Sequence, residues 1–311
     1  MGLSVIIPCL NDNKHIDATI ESIRDTSEGM SVDIIVVDDC SDVPVVLKDK
    51  RARLIRTDKR VGGGMARHLG TFYSRHDHLL FTDSHMRFRQ GWLSTALDRI
   101  KGRPNVVHVG KCLGLAEDRM ELEKAQGAYY GARINYIGKD PNKPKSPSIL
   151  EGVWDGPKKD DAEVECLMGA CYFWPRRLFL ELGGKMLLRD WGGEEVFTSL
   201  KLWLTGRGIR MMTGVEIGHM FRAKNGYPAP FESIVYNKLL IAAVCMPPDA
   251  ARAIEDALRT CYGGDGRFVD IAKRWLEQDF RMVQVERHRL KAAQRLPFET
   301  VLARFRHPRF W

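Results

Sequence analysis

The sequence predicts an open α/β fold, and three features of its N-terminal third predict it. The continuous apolar runs "LSVIIPCL" and "SVDIIVVDD" have the pattern of strands buried on both faces of a parallel sheet. Between them, "KHIDATIESIRD" sets Ile16, Ile20 and Ile23 at helical spacing, which makes a βαβ opening. Polar residues then recur where each strand stops, and in open α/β sheets ligands bind at that carboxyl edge.

The remaining elements follow in order. "ARLIRTD" predicts a third strand, "GGGMARHLGTFYSR" a helix entered through glycines, and "HDHLLFTDSH" a fourth strand. "GWLSTALDRI" reads as a helix and "NVVHVG" as a strand. From about Glu117 to Asp161 periodicity gives way to Gly, Pro and Lys, which predicts a long irregular excursion suited to an acceptor cleft. Regular pattern returns with "VECLMGACYFW", a strand, and "RRLFLELGG", a helix closed by glycine. "EEVFTSLKLWLTGRG" predicts a helix with Val196, Leu200 and Leu204 on one face, and "IRMMTGVEIGHMF" two short strands. From Phe231 onward the pattern is helical, with one long basic helix from Phe268 to about Leu296.

Composition bounds the function. A chain of 311 residues, 44% hydrophobic and 28% charged, is globular and long enough for a sizeable core. Its seven cysteines form no C-x-x-C pair, which excludes a structural zinc site of that kind and points to a reducing, cytoplasmic setting, including that of a virus-encoded protein in its host. No basic leader precedes the first strand, and no window approaches the roughly 20 apolar residues that span a bilayer. The net charge is +8, and residues 267–311 alone carry 11 Lys or Arg against 5 Asp or Glu. That basic segment is either a solvated helical face or a surface for a polyanion or acidic membrane.

Within "FTDSHMRF", Asp83 and His85 stand two apart. On a strand they point the same way, and a carboxylate with an imidazole is half of a divalent metal site suited to manganese. Read alone, the pair is more often an ordinary polar strand end. Asp38 and Asp39 either face the ligand crevice at the strand end or cap the next segment. Gly62 to Gly64 lack both G-x-G-x-x-G and the Walker lysine, so they predict a tight turn beneath the ligand. His219, in "EIGHMF", reads by itself as a core histidine.

Taken jointly, "SVIIPCLND…IIVVDDCSD…GGGMARHLG…LLFTDSH" resembles the nucleotide half of a GT-A glycosyltransferase. "MGACYFW…ELGG…DWGGEEVFTSLKLWLTGRG…GHMFR" is similar to the polypeptide N-acetylgalactosaminyltransferase family, and the resemblance covers roughly residues 3–230. It implies a GT-A, Rossmann-like three-layer α/β/α sandwich. Residues 1–230 would be the catalytic domain, with a nucleotide-binding half over 1–110 and a sugar and acceptor half over 111–230, followed by a basic helical extension over 231–311 where the family has a lectin domain.

The resemblance further makes Asp83, His85 and His219 the ligands of Mn2+ or another divalent cation. It sets Trp191, Glu194 and Arg222 at the reacting sugar and diphosphate. Pro8, Asp39, Arg60, Ser84, Gly169, Ala170, Gly192, Gly193, Glu195 and Tyr227 would hold a UDP-sugar. A carboxylate at Asp39 accepts the uracil imide N–H, and the planar fork of Arg222 suits phosphate oxygens. "FRAKNGYPAP" suits a lid. The implied chemistry is retaining, by front-face attack without a protein general base.

Two departures leave the sugar open between a hexose and an N-acetylhexosamine. Glu195 stands where the family has the amide of W-G-G-E-N, and Ala170 where it has the second glycine of A-G-G. The basic segment and unpaired cysteines lean the acceptor toward a hydroxymethylated pyrimidine in viral DNA, flipped out against Trp154 or Tyr227. The alternatives are a polypeptide Ser or Thr hydroxyl and, further off, a lipid-linked glycan. A non-catalytic binding protein fits less well, because all three metal-ligand positions are filled.

Overall fold

Strands β1 (Leu3–Cys9) and β2 (Val32–Asp38) are nearly wholly buried and pair in parallel from Leu3↔Val32 to Cys9↔Asp38, as their unbroken apolar runs require. A computed structural model of the chain describes residues 2–140, 143–182, 187–222, 229–261 and 266–311. Helix α1 (Asn13–Asp25) joins the first two strands and buries Ile16, Ile20 and Ile23 together. Strand β3 (Arg53–Arg56) adds to β2 and β4 (His78–Thr82) to β1, both in parallel, with α2 (Gly63–Phe72) between them in sequence. The parallel strands β2, β1 and β4 end at Asp38, Cys9 and Thr82, so Asp39, Asp12 and Asp83 follow along one edge of the sheet.

After the short β5 (Met86–Phe88) and α3 (Trp92–Gly102), strand β6 (Val107–Leu115) extends the sheet, and β7 (Ala128–Tyr129) pairs with it. The stretch expected to be irregular contains a long antiparallel hairpin, β8 (Ala132–Asp140) with β9 (Lys143–Trp154). Its signal was present: Ala132, Ile134 and Tyr136 alternate along β8 and are all buried. The flanking Pro and Lys residues hid that alternation.

Strand β10 (Cys171–Pro175) enters between β4 and β6 and runs antiparallel to both. Helices α4 (Arg176–Glu181) and α5 (Glu194–Leu204) follow. The two short strands expected next are one, β11 (Ile209–Met220), with a register shift between Met212 and Glu216. It runs parallel to β6 and antiparallel to β5, which completes a mixed sheet of order β3-β2-β1-β4-β10-β6-β11-β5.

The C-terminal segment is helical as expected, but it packs into the same core. Helix α6 (Phe231–Cys245) is buried on every side and contacts α5, α7 (Pro248–Cys261), α8 (Arg267–Gln278) and α9 (Phe280–Ala293). The single basic helix expected over this region is broken into α8 and α9 at Asp279, and α10 (Phe298–Arg304) closes the chain. The Asp279 carboxylate accepts from Arg189 Nη2 at 2.8 Å and from the Tyr236 hydroxyl at 2.7 Å, contacts that hold it at the break.

A buried ion pair ties this helical segment to the sheet domain. Lys201 of α5 donates to Glu286 of α9 and to the Leu182 carbonyl, and both charged side chains are under a tenth exposed. Removing one partner of such a pair leaves an uncompensated charge in a low-dielectric interior. Glu286→Ala should therefore lower the unfolding free energy by about 3–5 kcal/mol in urea titrations, while the double replacement Lys201→Met with Glu286→Leu should recover most of that loss.

Candidate active site

The cleft at the carboxyl edge of the sheet has a volume of about 570 Å³, and every described residue of the sequence-predicted set lines it. Tyr227 and most of the expected lid lie outside the described residues. Asp83, Ser84 and His85 occupy the bend between β4 and β5, so strand alternation does not explain their convergence. Helix α1 sets the bend instead. Thr19 Oγ1 donates to the Ser84 carbonyl at 2.8 Å and accepts from the Met86 amide at 2.9 Å. His219 reaches the same point because β11 pairs with β5 at His219↔Met86, while the Met220 amide donates to the His85 carbonyl at 3.3 Å.

The three side chains can hold a divalent cation. One ligand atom from each of Asp83, His85 and His219 lies within 4.8 Å of the others, and one carboxylate with two imidazoles suits a Mn2+-like ion. Two further observations fit. His219 Nε2 lies 3.2 Å from Asp83 Oδ2, while its Nδ1 is buried without a hydrogen-bond partner. Burial pushes the His219 imidazole below its ordinary value, against the neighbouring Asp83 carboxylate, so the ring is neutral with a lone pair to give.

Asp12, missed at the sequence level, orients this group. Its carboxylate lies 2.8 Å from His85 Nδ1, and since a carboxylate only accepts, Nδ1 carries the proton and Nε2 is left for a metal. Asp12 also accepts from Ser84 Oγ and from Arg222 Nη2. Burial alone would raise the Asp12 pKa; the bonds from His85 and Ser84 and the Arg222 charge outweigh it and hold the carboxyl below its usual range. Asp12 ends the run "CLND" at the same sheet edge as Asp39 and Asp83, and that shared edge was the signal for it.

Arg67, also missed, joins the two halves of the site. It lies on the inner face of α2 and donates to Glu194 Oε2 at 2.7 Å and to Asp83 Oδ1. Burial would raise the Asp83 pKa, but its hydrogen bond with His219 and the Arg67 charge hold it well below the carboxylate range. No sequence signal distinguishes Arg67, because one arginine in an amphipathic helix reads as solvent-facing.

The glycine run has a more specific purpose than a tight turn. Gly62 has φ +86, and a Cβ there would lie 2.2 Å from the Asp190 carbonyl, while the Gly63 amide donates to that carbonyl at 3.2 Å. Only glycine lets the loop carrying Trp191 and Gly192 come this close to α2. Asp38 has the capping role offered as an alternative, accepting from the Ser41 and Val45 amides and from Arg56. Asp39 accepts from the Val61 amide at 2.7 Å and the Gly62 amide at 2.9 Å, and burial raises its pKa. Thr57 Oγ1 also donates to Asp39 Oδ1 at 3.5 Å, and Asp39 lines the cleft.

On the opposite wall Glu195 lies over Gly169, where a Cβ would come 2.9 Å from Glu195 Oε1. Arg60 lines the cleft and donates to Asp42 at 3.0 Å. Trp154, Tyr129 and Phe221 form an aromatic group with ring centroids 5.1–5.5 Å apart, and Trp154 and Phe221 line the cleft.

Comparison with known proteins agrees with this geometry. Residues 4–154 match the family model described as glycosyl transferase family 2. The chain is 28% identical over 255 residues to human polypeptide N-acetylgalactosaminyltransferase 10, covering 78% of this chain and 42% of the relative. It is 27% identical over 213 residues to polypeptide N-acetylgalactosaminyltransferase 3 of Drosophila melanogaster, covering 64% and 31%. The chain thus spans less than half the length of these relatives. Among solved structures, that of GalNAc-T7 with UDP, GalNAc and Mn2+ superposes with a TM-score of 0.63 at 18% identity, covering 91% of this chain and 57% of that one. The chain therefore has a GT-A fold, carries a glycosyl transferase family 2 match over residues 4–154, and is similar to the polypeptide N-acetylgalactosaminyltransferases.

Proposed function

We propose that the chain is a divalent-cation-dependent glycosyltransferase that moves a hexose or N-acetylhexosamine from a UDP-sugar to an acceptor hydroxyl with retention at the anomeric carbon. The observation that carries this reading is the Asp83, His85 and His219 group facing the Trp191–Glu195 segment across one cleft. A cation held by those three side chains would supply Lewis-acid neutralisation of the leaving diphosphate. Asp39 receives the uracil N–H on a carboxylate already fixed by two amides, and Arg60 lies alongside. Arg222, steadied on Asp12, presents its remaining donors to the diphosphate; its Nε has no hydrogen-bond partner among the described residues.

In the step itself, the anomeric carbon–oxygen bond to phosphate breaks as the acceptor oxygen bonds to the same face. The acceptor proton passes to the departing phosphate oxygen. Glu194 is committed to Arg67, which leaves positioning and charge stabilisation as the protein's contribution. Trp191, 42% exposed at the cleft mouth, and the glycines beside it cover the sugar. Glu195 over Gly169 fixes the space beside it, and Ala170 is buried there.

For the acceptor, the similarity to polypeptide transferases favours a Ser or Thr hydroxyl of a polypeptide. A hydroxymethylated pyrimidine in DNA is the second reading, favoured by the basic segment 267–311 and by the aromatic group at the cleft. Several of the segment's cations are already engaged internally, among them Lys273 with Glu255, Arg289 with Glu286, Arg304 with Glu163 and Arg287 with the Ala243 carbonyl, which lessens the charge left for a polyanion. Seven cysteines with no disulfide between them suit a reducing compartment such as the cytoplasm. No helix among the described residues is long and apolar enough to cross a membrane.

Incubation with Mn2+, a panel of UDP-sugars, Ser/Thr peptides and hydroxymethylated DNA, read by mass, should show one hexosyl or hexosaminyl mass added to one acceptor class; no transfer and no donor hydrolysis with any sugar would overturn the reading. Asp83→Ala and His219→Ala should each abolish hydrolysis and transfer while circular dichroism stays native. Asp12→Asn should weaken Mn2+ binding about 10- to 100-fold in an electron-paramagnetic-resonance titration, the usual cost of losing a group that orients a metal ligand. Unchanged affinity would remove Asp12 from that role.

A further inference from the structure

The loop that carries Trp191 and Gly192 is held in an unfavourable shape. Asp190, Gly192 and Gly193 all have positive φ, of 47°, 97° and 80°, and Asp190 is not a glycine. A segment with three residues in left-handed or neighbouring conformations persists only where its surroundings over-determine it. Besides the Gly62–Gly63 contact, the surroundings that do so belong to α6, in the C-terminal helical segment.

Asn237 is the centre of that grip. It is 1% exposed in the middle of a largely apolar helix. Its Oδ1 accepts from the Arg189 amide at 2.9 Å, and its Nδ2 faces three carbonyls, Arg189 at 2.8 Å, Gly192 at 2.9 Å and Trp191 at 3.3 Å. Only one orientation of the amide satisfies this set, since three acceptors meet the nitrogen and one donor meets the oxygen. One turn earlier on α6, Ser233 donates to the Asp190 carboxylate. The Arg189 guanidinium lies 4.5 Å from the Tyr236 ring centroid and 4.6 Å from that of Trp275, and it pairs with Asp279 at the break between α8 and α9. Gly193 packs directly on α6, where a Cβ would lie 2.9 Å from Ile241.

We propose that Asn237 is a positioning residue for the donor-sugar loop, and that the C-terminal helices act on the donor site through it rather than as a separate appendage. The proposal rests on the UDP-sugar reading above for its consequence, and on the hydrogen bonds alone for its mechanism. On that reading the nucleotide lies against the ends of β1 and β2 and the β4–β5 bend, whereas the hydrogen bonds of Asn237 go to residues 189–192. The sugar end of the donor is covered by the loop that Asn237 holds. Loss of the clamp therefore weakens the sugar's contribution and leaves that of the nucleotide.

Asn237→Asp keeps the volume and the acceptor but removes both N–H donors and turns a charge toward three carbonyls. In the ligand-free variant, hydrogen exchange should accelerate in peptides covering 187–197 while those covering β1 and α1 exchange as in wild type. With Mn2+ present, the inhibition constant for UDP should stay within about twofold, whereas KM for the UDP-sugar should rise about tenfold, the scale of losing a buried hydrogen-bonded donor. Should Asn237→Asp fail to fold, Asn237→Ser, which keeps one donor, serves in its place with the same directions. Unchanged exchange at 187–197, or an equal loss for UDP and UDP-sugar, would overturn the proposal. If the wild type uses no UDP-sugar, the functional reading fails and the exchange result still decides the clamp.

Discussion

The buried guanidinium of Arg67 is the contact on which the site depends. Asp83 comes from the end of β4 and Glu194 from the start of α5, and each donates a negative charge to a space with little water. Without a cation between them, two carboxylates at that depth would repel or one would take up a proton. Arg67 neutralises both and bridges them with a planar fork, so the carboxyl edge of the sheet and the start of α5 share one charge centre. The glycine entry to α2 follows from the same need, since the helix must lie close under the Asp190 loop for Arg67 to reach across.

Much of this was legible from residue order. The apolar runs of β1 and β2, the face of α1 and the edge positions of Asp39 and Asp83 follow from strand and helix periods alone. His219 did not, because a histidine on a buried strand has no signature until it is seen beside a carboxylate and a second imidazole from elsewhere in the chain. Asp83 and His85 were identified through a strand geometry they do not have; the bend that brings them together is set by Thr19, 64 positions before Asp83 in the chain, through bonds no local pattern encodes. Arg67 and Asn237 were invisible for a related reason. A polar residue in a helix declares its task only when the partner across the interface is known.

The C-terminal helices repeat that lesson in energetic terms. Lys201, Asn237 and Lys238 are all buried, a costly condition for any of them alone. Each is answered by a group from another element: Glu286 for Lys201, the 189–192 backbone for Asn237, and Glu151 of β9 for Lys238. Polar pairings of this kind contribute little net stability compared with apolar packing, but they admit few alternative arrangements. They fix where the helices sit against the cleft, and their basic composition is partly consumed in doing so.

The antiparallel strand β10 has a consequence for how the chain is made. It separates two parallel blocks, β3-β2-β1-β4 on one side and β6-β11 on the other, and it is synthesised after every strand but β11. Until it arrives, the inner edges of β4 and β6 have no neighbour, and both strands are strongly apolar. A nascent chain that has emerged only through residue 154 holds the whole family-matched segment and still exposes two open sheet edges of the kind that pair with other chains. The matched segment is therefore a unit of sequence similarity rather than a unit of folding, and the order of synthesis obliges it to wait for a strand that comes from outside it.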